Sequence, residues 1–357
     1  MMKTKDKNMG IELLRIISMM MVVTLHCLGH GGVLSNTQSL TTNNNMAWLL
    51  ETASCGAVDL YALITGYVCV KAKYRYGRIA ELWLQVALYS MIITIAFNTP
   101  FDGFNSVKQI LLSFFPVTRN QYWFFTSYVA LFFFMPFLSI LAQTLMKRDY
   151  QKLLVLCMVF YCIFATAGRY LTNQIYNVDK GYSCFWLMIL YMAGAYIRIY
   201  QEDINKYPKA VYLGIYLLGV GVTWSIRLFL VKATISMFGE ERYIELLTAY
   251  NSPFIVVSAV GLFLFFMESK ITGSAVRKWI ERLASASFGV YIISEHPYIR
   301  ERFIIGRLIE YTEEAWYMLL LRIVVFVVML YFVCSMIDMV RKMIFDGFLN
   351  RRKRGNS

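Results

Sequence analysis

Arg15 and His26 are the residues whose types and spacing point most directly to chemistry. Ten residues separate them within the apolar segment ELLRIISMMMVVTLHCLGH. At about 100° per residue, eleven helical steps return almost to the starting direction, so one helix presents both side chains on the same face, about 16 Å apart along its axis. Histidine exchanges a proton near neutral pH, and arginine binds phosphate or carboxylate through two parallel hydrogen bonds. The pair therefore fits a general base and an anion clamp.

Both residues also have ordinary structural explanations. Arg15 lies near the start of the segment, and extension of its side chain to the lipid headgroups is an equally good explanation for an arginine there. The corresponding alternative for His26 is a bundle residue that bonds a backbone carbonyl. The spacing alone does not decide between these explanations and a catalytic role.

The next apolar segment carries two carboxylates, Glu51 and Asp59. An ionisable residue at bilayer depth is costly and marks a functional site by default. We interpret Asp59 as a third catalytic residue, which either orients His26 or neutralises Arg15. Glu51 lies nearer the outer end, where a solvated position explains it equally well. Gly66 permits either a close approach between helices or a break, and we favour a packing role for it.

Four residues at the predicted outer boundary are candidates for substrate binding. Tyr122 and Trp123 begin an aromatic-rich segment, for which an interfacial belt and a sugar-stacking platform are the two interpretations. Glu295 and His296 precede Pro297 near the end of a later segment. They form either a second acid–base pair or a solvated helix end.

Membrane-spanning helices must position these residues, because the chain is 58% hydrophobic and 16% charged, with a mean hydropathy of +0.52. Soluble domains contain about 45–50% apolar and about 25% charged residues, and a membrane span needs about 20 mostly apolar residues. The sequence predicts an all-α, polytopic helical bundle that forms one integral-membrane domain over 1–357, with a short basic tail at 341–357. The candidate spans are 11–28, 46–70, 79–97, 122–142, 153–168, 183–199, 210–230, 252–267, 284–299 and 315–340.

The placement of the 35 lysines and arginines predicts the direction of these ten spans. Most of them lie in the N-terminal segment, the tail and every second loop, whereas the loop 29–45 has none. The positive-inside rule then puts both termini in the cytoplasm. The net charge of +13 therefore indicates membrane topology rather than nucleic-acid binding.

The seven cysteines have the positions of small packing residues, in or beside apolar segments. None forms a CxxC pair, and no Cys/His cluster has metal-ligand spacing, so we predict neither a metal site nor a structural disulfide. The first apolar run follows a basic start without an A-x-A pattern, and we interpret it as a retained span.

Five segments, in order, resemble the membrane-bound acyltransferase-3 family. The first is the Arg-x10-His pattern of Arg15 and His26, and the second, VDLYALITGYVCV (58–70), is similar to the family's VNLFVLISGYF. The runs KYRYGRIAELWLQVALYS, YWFFTSYVALFFFMPFL and GYSCFWLMILYMAGAYIRIY (181–200) look like the branch found in bacterial polysaccharide loci. The resemblance covers nearly the whole chain.

The resemblance implies transfer of an acyl group, usually acetyl from acetyl-CoA, to a hydroxyl of an extracytoplasmic or lipid-linked glycan. His26 is then the proton acceptor, and Arg15 contacts the donor. The implied partners are acyl-CoA, a polysaccharide and the lipid bilayer of the bacterial cytoplasmic membrane, with no bound cofactor and no nucleic acid. The chain departs from the family at Asp59, where relatives often have Asn, and at Ser294, where they often have His.

A transporter is the alternative from another functional class. Ten spans with Arg, His, Asp and Glu at membrane depth also suit the substrate path of a glycan exporter or an amino-acid carrier. The sequence has no paired inverted halves with matching breaks, which favours the enzyme. A structural subunit of a polysaccharide synthase is a third alternative, for which His26 would be dispensable.

Overall fold

A computed structural model describes residues 7–98, 104–169, 176, 178–204, 206–242 and 245–354, with side chains except at 104–106 and 346–354. Every regular element in these ranges is a helix, which confirms the all-α prediction. The α-helices are α1 (Met9–Gly29), α2 (Val33–Asn36), α3 (Thr42–Ser54), α4 (Ala57–Cys69), α5 (Gly77–Phe97), α6 (Phe104–Ser113), α7 (Trp123–Thr144), α8 (Lys147–Met158), α9 (Ala165–Gly168), α10 (Cys184–Ile199), α11 (Gln201–Ile204), α12 (Lys209–Phe238), α13 (Pro253–Met267), α14 (Ser274–Ser294), α15 (Pro297–Phe303) and α16 (Trp316–Arg354). A π-helical segment, Val159–Phe164, joins α8 to α9, and short 3₁₀ turns lie at Asp179–Gly181 and Ile309–Glu313.

Seven helical segments of the described chain are long and apolar enough to cross a membrane. The helices α10 and α13 are shorter apolar helices, and α14 begins with a charged half before its apolar half. These ten segments overlap the ten predicted ones, and the protein is a multi-pass membrane protein. The predicted span 284–299 is wrong at its end, because α14 ends at Ser294 and α15 begins at Pro297. The count of ten spans and the cytoplasmic side of the termini stay predictions. The seven long segments are Met9–Asn36, Thr42–Cys69, Gly77–Phe97, Trp123–Thr144, Lys147–Gly168, Lys209–Phe238 and Trp316–Phe345.

The first helix, α1, is the central element of the bundle. It packs against α3, α4, α13, α14 and α16, so most of its surface faces protein. Asn8 caps its N-terminus: the side-chain oxygen accepts hydrogen bonds from the amides of Gly10 (2.9 Å) and Ile11 (3.3 Å). The same side chain donates to the Met267 carbonyl at 2.9 Å and so fixes the start of α1 to the end of α13. Ionisable residues on α1 are therefore held inside the bundle.

A pair of glycines allows α4 and α10 to touch backbone to backbone. A Cβ atom on Gly66 would overlap the Tyr191 carbonyl, and one on Gly194 would overlap the Leu63 carbonyl. Small residues at such crossings let helices approach closely. The predicted role of Gly66 in close helix approach is confirmed.

Candidate active site

A cavity of about 190 Å³ lies among α1, α4, α5, α7 and α14. Arg15 and His26 both line it, eleven positions apart on α1. Arg78, the second residue of α5, lines it together with Arg15. The structure thus brings the two residues of the Arg-x10-His pattern to one cavity, the inner cavity. Its arginines lie toward the predicted cytoplasmic side, and His26 lies toward the predicted outer side.

A buried carboxylate holds the imidazole of His26. Nδ1 of His26 lies 2.7 Å from Oε2 of Glu295, and the Glu295 side chain is 10% exposed. Arg300 donates to the other oxygen of Glu295 at 2.6 Å, while Nε2 of His30 lies 3.9 Å from that oxygen. A carboxylate at Nδ1 favours the tautomer that carries its proton there. The nitrogen Nε2 of His26 is then the one available to a substrate.

The junction between α14 and α15 positions Glu295. Glu295 directly follows the last residue of α14, and its amide donates to the Tyr291 carbonyl at 3.0 Å. The next residue, His296, caps α15: its Nδ1 accepts from the Tyr298 amide at 3.3 Å, and Pro297 is the first residue of α15. The sharp change of chain direction therefore follows from a helix end and a capped helix start in consecutive positions.

Both interpretations of Glu295 and His296 from the sequence were wrong. The two residues are 8% and 1% exposed, so they do not form a solvated helix end. They do not form an acid–base pair either, because Glu295 contacts His26 and the imidazole of His296 caps a helix. The inner cavity is lined by His26 but by neither of these two residues.

The predicted partnership of Asp59 with His26 or Arg15 was also wrong. Asp59 is fully buried, and its Oδ1 accepts a hydrogen bond from Nε1 of Trp186 on α10 at 3.0 Å. The cavity-lining residue Tyr61 lies two positions later, about 200° around α4, whereas Gly66 lies about two turns later on nearly the same face as Asp59. Asp59 therefore faces the α4–α10 contact.

Glu12, rather than Asp59, is the carboxylate next to Arg15. Nη1 of Arg15 lies 3.2 Å from both carboxylate oxygens of Glu12, three residues earlier on α1. Tyr61 donates a hydrogen bond to the Arg15 carbonyl at 2.8 Å and so ties α4 to α1 at this level. The Arg15 side chain keeps 28% of its surface exposed, and it forms part of the cavity wall.

Aromatic rings form part of the wall of the inner cavity. Trp123 and Tyr250 both line it and stack with ring centroids 6.0 Å apart. Tyr182 does not line this cavity, but its ring centroid lies 4.5 Å from that of Trp123. Tyr122 points elsewhere: it is 1% exposed, and its ring packs against Tyr291 at 6.0 Å. Both interpretations of Tyr122, the interfacial belt and the sugar platform, were therefore wrong. The placement of Trp123 remains compatible with sugar stacking.

A comparison with protein families agrees with this geometry. A family model described as an acyltransferase domain, Acyl_transf_3, matches residues 8–339. The chain belongs to this acyltransferase family. It is an O-acyltransferase of the membrane-bound type, and the match includes every residue described above for the inner cavity and for the Glu295 junction. No curated protein and no solved structure matches the chain.

Three groups around the inner cavity of this acyltransferase were missed by sequence reasoning. Arg78 lies just outside the predicted span 79–97, whereas in the structure it is the second residue of α5. Tyr182 and Tyr250 lie in connections that carry no periodic pattern, so the sequence holds no signal for their contact with Trp123. Glu295 is a candidate from the sequence, but its partner could not be deduced, because Glu295 lies 269 residues after His26 in the chain.

The arrangement supplies the groups that acyl transfer to a hydroxyl needs. A base must take the hydroxyl proton, and a partner must hold that base in the right tautomer. His26 and Glu295 have this relation. Among the described residues, no group of three or more His, Cys, Asp and Glu side chains has the geometry of a metal site, and the seven cysteines are free thiols.

Proposed function

We propose that this acyltransferase moves an acetyl group from cytoplasmic acetyl-CoA to a hydroxyl of an extracytoplasmic or lipid-linked polysaccharide. The observation that carries the proposal is the inner cavity, because it has arginines toward one predicted side of the membrane and a carboxylate-held histidine toward the other. The proposal requires the predicted topology, with both termini in the cytoplasm of a bacterial cell and the arginines facing the donor.

Arg15 and Arg78 are the proposed contacts for the donor. Coenzyme A carries phosphates, and guanidinium groups bind phosphate oxygens through paired, charge-assisted hydrogen bonds. Between the arginines and His26 the cavity wall includes the apolar side chains of Met19, Val22 and Leu82. An apolar wall suits the arm that joins the nucleotide part of the donor to its thioester.

In the proposed reaction, Nε2 of His26 takes the proton of a sugar hydroxyl. The hydroxyl oxygen attacks the thioester carbonyl, so that a C–O bond forms and the C–S bond breaks. The leaving thiolate of coenzyme A takes the proton from His26, which restores the neutral imidazole. Glu295 acts as a positioning residue, since it holds the proton on Nδ1 and stabilises the transient imidazolium.

A two-step route uses the same groups. Nε2 of His26 attacks the thioester carbonyl first, the C–S bond breaks, and coenzyme A leaves as its thiolate. The sugar hydroxyl then attacks the acetyl group on the imidazole, the C–N bond breaks, and the hydroxyl proton ends on the thiol of coenzyme A. Rapid-quench trapping of an acetylated His26 in the absence of glycan distinguishes this route from direct transfer.

The ester content of the cell-surface glycan tests the proposal. We expect ester groups in the wild-type strain, none in a deletion strain, and none after complementation with normally expressed His26→Ala, because the base is missing. His30→Ala is the matched control: this second histidine of the same helix end does not line the inner cavity, and we expect it to restore the ester. A deletion strain with fully acylated glycan that fails to reach the surface would instead support an exporter.

A further inference from the structure

A second cavity adjoins the inner cavity on the predicted outer side. It measures about 280 Å³, and Tyr250 belongs to the walls of both cavities. Gly29 of α1 also lines it, three residues after His26, a step of about 4.5 Å along the helix. We call it the outer cavity. The shared wall residue Tyr250 places the two cavities side by side.

An unpaired carboxylate lines the outer cavity. Oε2 of Glu51 is buried and has no hydrogen-bond partner, and the described part of the chain contains no ion pair to Glu51. The second carboxylate of the wall, Glu245, is more exposed and pairs with Lys180 at 3.0 Å. A buried polar group without a partner is costly, so it calls for a ligand, water or another specific explanation.

Aromatic side chains provide the apolar walls. Trp48, Tyr182 and Tyr250 line the outer cavity, and the rings of the two tyrosines are 4.8 Å apart. The guanidinium of the buried Arg227 lies 4.1 Å from the Trp48 ring centroid and supports one face of the indole. Flat apolar walls with a few convergent polar groups are typical of small-molecule sites. The C–H face of a pyranose ring packs against such walls, while its hydroxyls reach the polar groups.

The segment that carries Tyr250 is fixed in place rather than loose. Arg169 donates to the Leu246 carbonyl at 2.7 Å and to the Asn251 side-chain oxygen at 2.8 Å. Gly181 has a φ of +95°, and a Cβ atom there would lie 2.7 Å from the Cβ of Tyr250. The glycine therefore lets the 3₁₀ turn before Tyr182 pack directly on Tyr250.

We propose that the outer cavity binds one pyranose unit of the acceptor, adjacent to the unit that is acylated. Glu51 accepts hydrogen bonds from the hydroxyls of this unit, and the tyrosines pack against the apolar face of its ring. Lys180 also lines the site, where it pairs with Glu245. The inference rests on the proposed glycan acceptor.

Separate measurement of the donor and acceptor halves of the reaction tests this site. The purified protein in lipid nanodiscs is given labelled acetyl-CoA, with or without surface polysaccharide from the source cells that has been de-esterified with mild base. We expect Glu51→Leu to raise the half-saturating glycan concentration about tenfold or more, since the sugar hydroxyls lose their polar partner, and to leave glycan-independent hydrolysis of acetyl-CoA unchanged. Glu245→Leu is the matched control on the rim, with an expected change below about twofold.

A second variant keeps the test decisive. Tyr182→Ala removes an aromatic wall outside the inner cavity, and we expect it to weaken glycan saturation by about fivefold without slowing hydrolysis. Wild-type glycan saturation in both Glu51→Leu and Tyr182→Ala would overturn the outer site and leave the proposed function standing. A wild-type protein that neither hydrolyses acetyl-CoA nor acylates the polysaccharide would refute the proposed function itself.

Discussion

Two buried carboxylates of this protein each meet a ring nitrogen, and their surroundings differ. Oδ1 of Asp59 accepts from the indole of Trp186 at 3.0 Å, and Oε2 of Glu295 lies 2.7 Å from the imidazole of His26. An indole has one nitrogen and only donates, so the contact of Asp59 ends at the helix interface. An imidazole has a second nitrogen, and His26 lines a cavity. We infer that the partner of a buried carboxylate, rather than its depth in the membrane, decides whether it can act on a reaction.

Glu295→Gln is expected to have the largest effect on activity. The amide keeps the size of the side chain but no longer fixes the proton on Nδ1 of His26 or stabilises the imidazolium. We expect kcat for acyl transfer to fall by about 10²–10⁴-fold, as for loss of the carboxylate in a triad, with little change in glycan saturation. The pH profile of kcat should also shift, which a purely structural role would not cause. A variant with the wild-type kcat and the wild-type pH profile would contradict the proposed role of Glu295. Glu295 and Asp59 would then not differ in their effect on the reaction.

Arg300→Gln tests how firmly Glu295 must be held. Arg300 donates to Oε1 of Glu295 at 2.6 Å, and its side chain is 30% exposed. Loss of this charge frees the carboxylate to rotate away from His26, and we expect kcat to fall about tenfold, less than for Glu295→Gln. Steady-state transfer assays on both variants, prepared in parallel, provide the measurement. A loss equal to that of Glu295→Gln would mean that Arg300 acts on the reaction directly.

Gly66→Ala is expected to lower the stability of the protein and to leave kcat unchanged. Gly66 lies on the face of α4 that also carries Asp59. The added methyl group would overlap the Tyr191 carbonyl, so α4 and α10 must separate. We expect a loss of about 1–3 kcal/mol in the free energy of unfolding, with kcat of the folded fraction unchanged. Thermal unfolding in detergent together with activity per folded molecule measures both. Gly77→Ala, at a position with open space around the Cβ atom, is the control.

The sequence correctly predicted the features that depend on a single helix. It did not predict contacts between helices that are distant in the chain. Arg15 and His26 share a cavity because the helical repeat alone sets their spacing. The partner of His26 comes from the end of α14, and no local pattern links those positions. The misplacement of Asp59 was avoidable, since Gly66 lies about two turns further on the same face and had already been interpreted as a packing residue.

Asp59→Asn is expected to have the smallest effect of these substitutions. The amide oxygen of asparagine can still accept the hydrogen bond from Trp186, and the side chain keeps its volume, so the α4–α10 contact survives. We expect kcat within about threefold of wild type, because neither His26 nor Arg15 depends on this carboxylate. Transfer assays and unfolding on the same preparation measure both properties. A loss of kcat comparable to that of Glu295→Gln, in a protein of unchanged stability, would show that Asp59 acts on the reaction through the fold. The contrast between a structural carboxylate and one that positions His26 would then fail.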